Sequence, residues 1–235
     1  MKSRQQDIDR FYEFLHQLED VLGGKRKLSF CNGRMIWPER GVYFFFEDGE
    51  TRENGEPRVV RIGTHALSLK SRTKLWSRLS QHQGTLSGRY PGGGNHRGSI
   101  FRLHVGTAII TRDGLDVPTW SKGSSASVQI RAAEYPTENK VSAHINQMPF
   151  LWLNINDEPG PSSVRGCIER NAIALLSNYA KKPKIDPPSM NWLGNLAWRD
   201  KIREAGLWNV NHVDEEYNSS FLDILKMNVA EMGRK

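Results

Sequence analysis

Cysteine is scarce in this chain, with 2 in 235 residues, Cys31 and Cys167. So few thiols, so far apart, exclude a disulfide framework and a zinc site built on cysteines. A reducing cytoplasm is the simplest setting. Long apolar runs are also missing, and nothing approaches the roughly 18 residues of a membrane span. The N-terminal MKSRQQDIDRF lacks the apolar core of a signal peptide. A cytoplasmic protein without membrane association is therefore expected. There is no internal repeat and no low-complexity tract. Acidic groups are in deficit, with 26 Asp and Glu against 33 Lys and Arg. The net charge of +7 and the pI near 9.5 favour polyanionic partners, nucleic acid first. Many basic proteins bind none, so charge alone decides nothing.

What is present can build a core: 37% hydrophobic residues, including seven tryptophans. The length suits one domain with appendages or two small ones. Asp7–Leu22 carries Ile8, Phe11, Tyr12, Leu15, Leu18, Val21 and Leu22 at steps of three and four. That spacing predicts an amphipathic helix, stopped by Gly23-Gly24. Lys25–Arg40 reads as a basic connector. Gly41–Glu47 is too apolar to alternate and predicts a strand covered on both faces. A loop follows, and Arg58–Ile62 reads as its hairpin partner, ending at Gly63. Thr73–Gln83 predicts a helix with Leu75 and Leu79 on its packing side. Arg78 and His82, four apart, share another face.

The glycine-rich stretch Gly84–Gly98 reads as a mobile basic loop carrying Arg89, His96 and Arg97. Ser99–Ile110 reads as a third strand, and Phe150–Ile155 is a further strand candidate. Thr111–Val141 is polar and gives no clear element. Ser163 is placed to cap a helix over Val164–Asn178. A basic linker with Lys181 and Lys182 leads to the rigid stop Pro187-Pro188. The tail beyond is helical in part, and its tryptophans and leucines are core material. The expected fold is α+β: a small mixed or antiparallel three-stranded sheet flanked by helices. The chain divides into an N-terminal helix and connector (1–40), a main domain (41–191) and a C-terminal helical extension (192–235).

The candidate functional residues each have a plainer reading. Tyr43 fits a core aromatic, Arg61 a solvated strand edge, and Arg78 with His82 a surface pair. Glu169 shares a helix face with Ala172, Ile173 and Leu176. A carboxylate there must be paired, hydrogen-bonded or bound to a metal. Taken in order, the pieces resemble the GIY-YIG nuclease family. Gly41-Val42-Tyr43 stands where the family has GIY, and Arg61-Ile62-Gly63 where it has YIG. Arg78 matches the helical arginine and Glu169 the single metal-binding glutamate. The resemblance covers Gly41 to about Asn191. Arg61 replaces the usual tyrosine of the second motif, as a cation does in some restriction-enzyme members. The Arg78–His82 spacing is also similar to restriction-type members. The late asparagine of the family corresponds to Asn178 or Asn191, with Asn191 favoured because a proline-containing segment precedes it.

The resemblance implies a divalent-metal-dependent endonuclease acting on DNA, restriction- or defence-like. Glu169 would hold Mg²⁺ (or Mn²⁺), with water filling most of the shell. Tyr43 would accept or orient the proton of the attacking water, and Arg61, Arg78 or a protonated His82 would supply a positive field. His82 has a second role open to it, holding Tyr43 by a hydrogen bond. Arg78 would clamp the scissile phosphate. Arg89, His96, Arg97, Lys181 and Lys182 are the expected nucleic-acid contacts. Two other classes stay open: a nucleic-acid-binding module that has lost catalysis, motivated by Arg61, and a basic globular protein whose tyrosine and glutamate are structural. A homo-oligomer is left open.

Overall fold

The computed structural model describes residues 3–234. Every residue from Gly41 to Phe46 is buried, which a strand satisfies only when both faces are covered. This strand, β2 (Gly41–Thr51), pairs antiparallel with β3 (Pro57–Gly63) on one side and with β4 (Pro149–Asn154) on the other. The two-residue β1 (Arg26–Lys27) adds to β4, giving the order β1-β4-β2-β3.

The pleat sends alternate side chains into two cores. Val42, Phe44 and Phe46, with Ile62, Leu151 and Leu153, pack against α1 (Arg4–Leu22), α5 (Val164–Leu176) and α7 (Phe221–Met232). Tyr43 and Phe45, with Val60 and Phe150, face α2 (Leu75–Gln83), α3 (Ile100–Asp113), α4 (Val128–Gln147) and the tryptophans Trp192 and Trp208. Each fully buried phenylalanine contributes roughly 1.5–3 kcal/mol. Helix α1 starts with a reciprocal capping box between Ser3 and Gln6 and stops at Gly23, which takes the left-handed φ of 70° that favours glycine. Helix α5 starts at the expected cap, Ser163, whose hydroxyl accepts from Gly166 N–H. It ends at Leu176, where Arg4 donates to the carbonyls of Leu175, Leu176 and Ser177.

Two expectations are corrected. The sheet has four strands, and Ser99–Ile110 is not among them; it forms α3, with Ser99 as its N-cap. Phe101, Val105, Ala108 and Ile109 are buried at helical spacing, and Arg102 and His104 are buried beside them. The third substantial strand is β4, on the Phe150–Ile155 candidate. The glycine-rich stretch is also not a loose basic loop. It closes on itself through Thr85 N–H to the Gly93 carbonyl (2.8 Å) and is tied to α4 by the Ser142 hydroxyl, which donates to the same carbonyl (2.9 Å). His96 bonds Glu138 (2.9 Å) and Arg97 makes a bidentate pair with Glu134 (2.6 and 2.8 Å), so both are spent internally.

After the short helix α6 (Asp200–Ala205), the chain runs along the free edge of β3. Trp208 N–H donates to the Val60 carbonyl (2.7 Å), and Asn209 bonds both the N–H and the carbonyl of Ile62 (3.1 and 2.9 Å).

Candidate active site

A cleft of about 480 Å³ opens where β3 ends. Arg61, Thr64 and His65 line it from the strand end, Arg78 and Gln81 from α2, Glu169 from α5, and residues 209–212 from the segment laid beside β3. Tyr43 and His82 sit behind this wall, each 0% exposed. Tyr43 is the cross-strand partner of Gly63. A Cβ on residue 63 would lie 2.2 Å from the phenolic oxygen, so only glycine lets the ring cross the strand there.

The Tyr43 hydroxyl lies 2.8 Å from His82 Nε2, and His82 Nδ1 lies 2.8 Å from Ser99 Oγ. Burial, then the nearby Arg78, Arg61 and Arg102, push the His82 imidazole well below its ordinary value. His82 is therefore neutral and does not supply the positive field expected of it. A neutral ring donates through one nitrogen and accepts through the other. With Nδ1–H directed at Ser99, Nε2 accepts from the Tyr43 hydroxyl.

Arg61 is 6% exposed. Its Nη1 donates to the Trp208 carbonyl (2.6 Å), its guanidinium lies 5.3 Å from the centre of the Phe101 ring, and its Nε has no partner among the described residues. Burial lowers its pKa, opposed by Tyr43 and Glu169. Arg78 is tethered by Gln81 Oε1 (2.9 Å) and the Gly98 carbonyl (3.2 Å). Glu169 Oε1 accepts from Thr64 N–H at 3.0 Å. Burial pushes its carboxyl up, with Arg61 the largest opposing influence. Among the described residues Glu169 forms no ion pair, and neither arginine does. Its second oxygen is left for a cation, which suits a lone carboxylate holding a hydrated ion. No cluster of three or more His, Cys, Asp or Glu among the described residues builds a full metal cage.

The cleft thus gathers Arg61, Arg78 and Glu169 and reaches Tyr43 and His82 through Arg61. Other expected site residues lie elsewhere. Asn191 is exposed and off the cleft, and Asn178 is spent on Arg4 and Ile185. Arg89 is exposed above Tyr90. Lys181 donates to the Ala174 carbonyl and, with exposed Lys182, borders a separate depression beside Arg4 and Tyr217. The asparagines that do stand in the cleft are Asn209 and Asn211, joined there by His65 and His212. Nothing in the local sequence marks Asn209, Asn211 or His212, because their place depends on how residues 208–212 meet β3.

No curated protein and no solved structure gives a significant match to the chain. The model of the GIY-YIG domain does, over residues 2–235, and on that near-complete match the protein belongs to the GIY-YIG family.

Proposed function

We propose that this cleft hydrolyses phosphodiester bonds in DNA with the help of a divalent cation, Mg²⁺ or Mn²⁺. One observation carries the reading: two arginines and a carboxylate share a cleft without pairing to one another. A buried cation with no anionic partner is unfavourable, and a phosphate oxygen is the ligand that satisfies Arg61 Nε and Arg78 together.

Glu169 would hold the cation, which neutralises charge on the phosphate and favours departure of the leaving oxygen. The Tyr43 hydroxyl, held by the neutral His82 Nε2, orients the attacking water through its oxygen lone pair, and the water's proton leaves to solvent. The water oxygen bonds to phosphorus as the P–O bond to the leaving group breaks, and the leaving oxygen is protonated from solvent. Ser99 fixes the His82 ring that holds the phenol. Arg61 is held by the Trp208 carbonyl, leaves Nε without a partner among the described residues and interacts electrostatically with Tyr43, so a phosphate that draws Arg61 forward would open the way to the phenol. Restriction- or defence-type cutting follows from the cationic second motif.

A second reading is favoured by the complete burial of Tyr43: a module that binds nucleic acid and does not cut. Divalent-dependent nicking of supercoiled plasmid separates the two. Nicking that stops with EDTA and with Tyr43→Phe upholds the nuclease. Salt-dependent duplex binding without nicking under any divalent ion leaves the binding module.

A further inference from the structure

His65 lines the cleft at the end of β3, is 6% exposed, and has no part in the chemistry above. Its Nδ1 lies 2.9 Å from the Thr73 carbonyl oxygen. A carbonyl oxygen only accepts, so Nδ1 carries the proton, and Nε2 of the neutral ring is a bare lone pair. That nitrogen is buried and has no partner among the described residues. An acceptor left open in this way is destabilising until a ligand meets it.

The ring is also tied to the element that presents Glu169. Thr64 N–H donates to Glu169 Oε1, and Arg165, one turn earlier on α5, donates to the His65 carbonyl. A histidine whose Nδ1–H is held by a backbone carbonyl while the other nitrogen is free is oriented as metal-ligating histidines are.

We propose that His65 Nε2 is a second protein ligand of the divalent cation held by Glu169, so that the site takes a first-row transition ion in preference to Mg²⁺. The bond releases no proton, because Nε2 carries none. Mg²⁺ keeps oxygen ligands and sheds water reluctantly, whereas imidazole strengthens binding along the series from Mn²⁺ to Co²⁺ and Ni²⁺. The inference rests on Glu169 holding a cation in this cleft.

The test is calorimetric titration of the full chain with Co²⁺ and with Mg²⁺, in wild type and His65→Ala. Wild type should bind Co²⁺ at least about tenfold more tightly than Mg²⁺, and the variant should lose about tenfold or more for Co²⁺ while Mg²⁺ affinity stays within about twofold. A second readout needs no variant: Co²⁺ should shift and broaden the His65 ring resonances of wild type. Equal Co²⁺ affinity in the two proteins, or a His65 ring untouched by Co²⁺, overturns the proposal. Plasmid nicking on the same samples separates the two readings. A chain that binds Co²⁺ through His65 and never nicks overturns the nuclease alone. A chain that nicks, with Co²⁺ binding indifferent to His65, overturns the second ligand alone.

Discussion

Gly63→Ala places a methyl group where the phenol of Tyr43 now lies. The new Cβ would be 2.2 Å from the phenolic oxygen, 2.4 Å from Cζ and 2.6 Å from Cε2. Non-bonded carbon contacts settle near 3.5–4.0 Å, so the ring has to retreat by about 1 Å. The 2.8 Å bond to His82 then stretches beyond the roughly 3.2 Å at which such bonds hold. Both groups are fully buried, so no water replaces the lost partner. Overpacking costs about 1–3 kcal/mol, and separating two buried polar groups costs about 1–3 kcal/mol more. For a chain of this size the sum is a fall in melting temperature on the order of 10 °C. Misplacing a reacting group by about 1 Å lowers cleavage about 100-fold. The assay is a thermal melt beside Mg²⁺-dependent nicking, run well below both midpoints. Gly98→Ala is the control, because a Cβ there meets nothing within 4 Å. If Gly63→Ala melts and nicks like wild type, Tyr43 is neither where the structure puts it nor part of the chemistry. A lower melt with unchanged nicking leaves Tyr43 as packing alone.

Glu169→Gln should abolish nicking and leave a folded chain. Burial raises the Glu169 carboxyl above 4.5, so the folded state keeps the proton to higher pH, and this group's contribution to stability falls as pH rises through that window. In EDTA at pH 7 the variant should melt at or above wild type, and saturating Mg²⁺ should raise only the wild type; nicking at the wild-type rate removes Glu169 from the mechanism. Stability should fall in acid for the opposite reason. Unfolded histidines protonate near 6.5, whereas burial holds folded His65 down to about 4, His104 to about 3, and His82 well below its ordinary value. The three together lose about 3 kcal/mol between pH 6.5 and 5.5, and urea unfolding that is flat over this range contradicts their burial as neutral rings. Asn209→Ala removes two bonds to Ile62 and should cost about 2–3 kcal/mol, while exposed Asn191→Ala should stay within about 0.5 kcal/mol in the same chemical unfolding. Arg97→Ala breaks a buried pair with Glu134 and should cost about 3–5 kcal/mol; if it instead only flattens the salt slope of DNA binding, Arg97 is a phosphate contact after all.

How much of this could be read in the sequence depended on where each signal resides. Gly41–Phe46 declared itself because a strand buried on both faces is a continuous apolar run. Helix α1 did so because one of its faces is wet and its period shows. Helix α3 hid for the converse reason: it is enclosed on most sides, so its helical period is erased. Arg102 and His104, alternating with Phe101, Leu103 and Val105, then imitate the period of a strand. Tyr43, Arg61, Arg78, His82 and Glu169 stood out only together, through the resemblance to the GIY-YIG family, since each taken singly has a plainer structural reading. Asn209 and His65 did not stand out, because one needs the path of an irregular segment and the other the orientation of a ring. The charges of His96 and Arg97 misled, since their partners, Glu138 and Glu134, lie about forty positions away in a stretch without a local pattern.

The strand edge that residues 208–209 cover lies 147 positions back in the chain. At 5–20 residues per second, a ribosome needs roughly 7–30 s between making the two. Through that interval the nascent β3 shows bare amides and carbonyls, the feature that draws other strands into aggregates, and Arg61 waits for the carbonyl that will steady it. Tyr43, Arg61, Arg78 and Glu169 have all been synthesised while the last wall of the cleft does not yet exist. The cleft is thus complete only after residues 208–212 have been made and have settled on a strand that left the ribosome about 147 residues earlier.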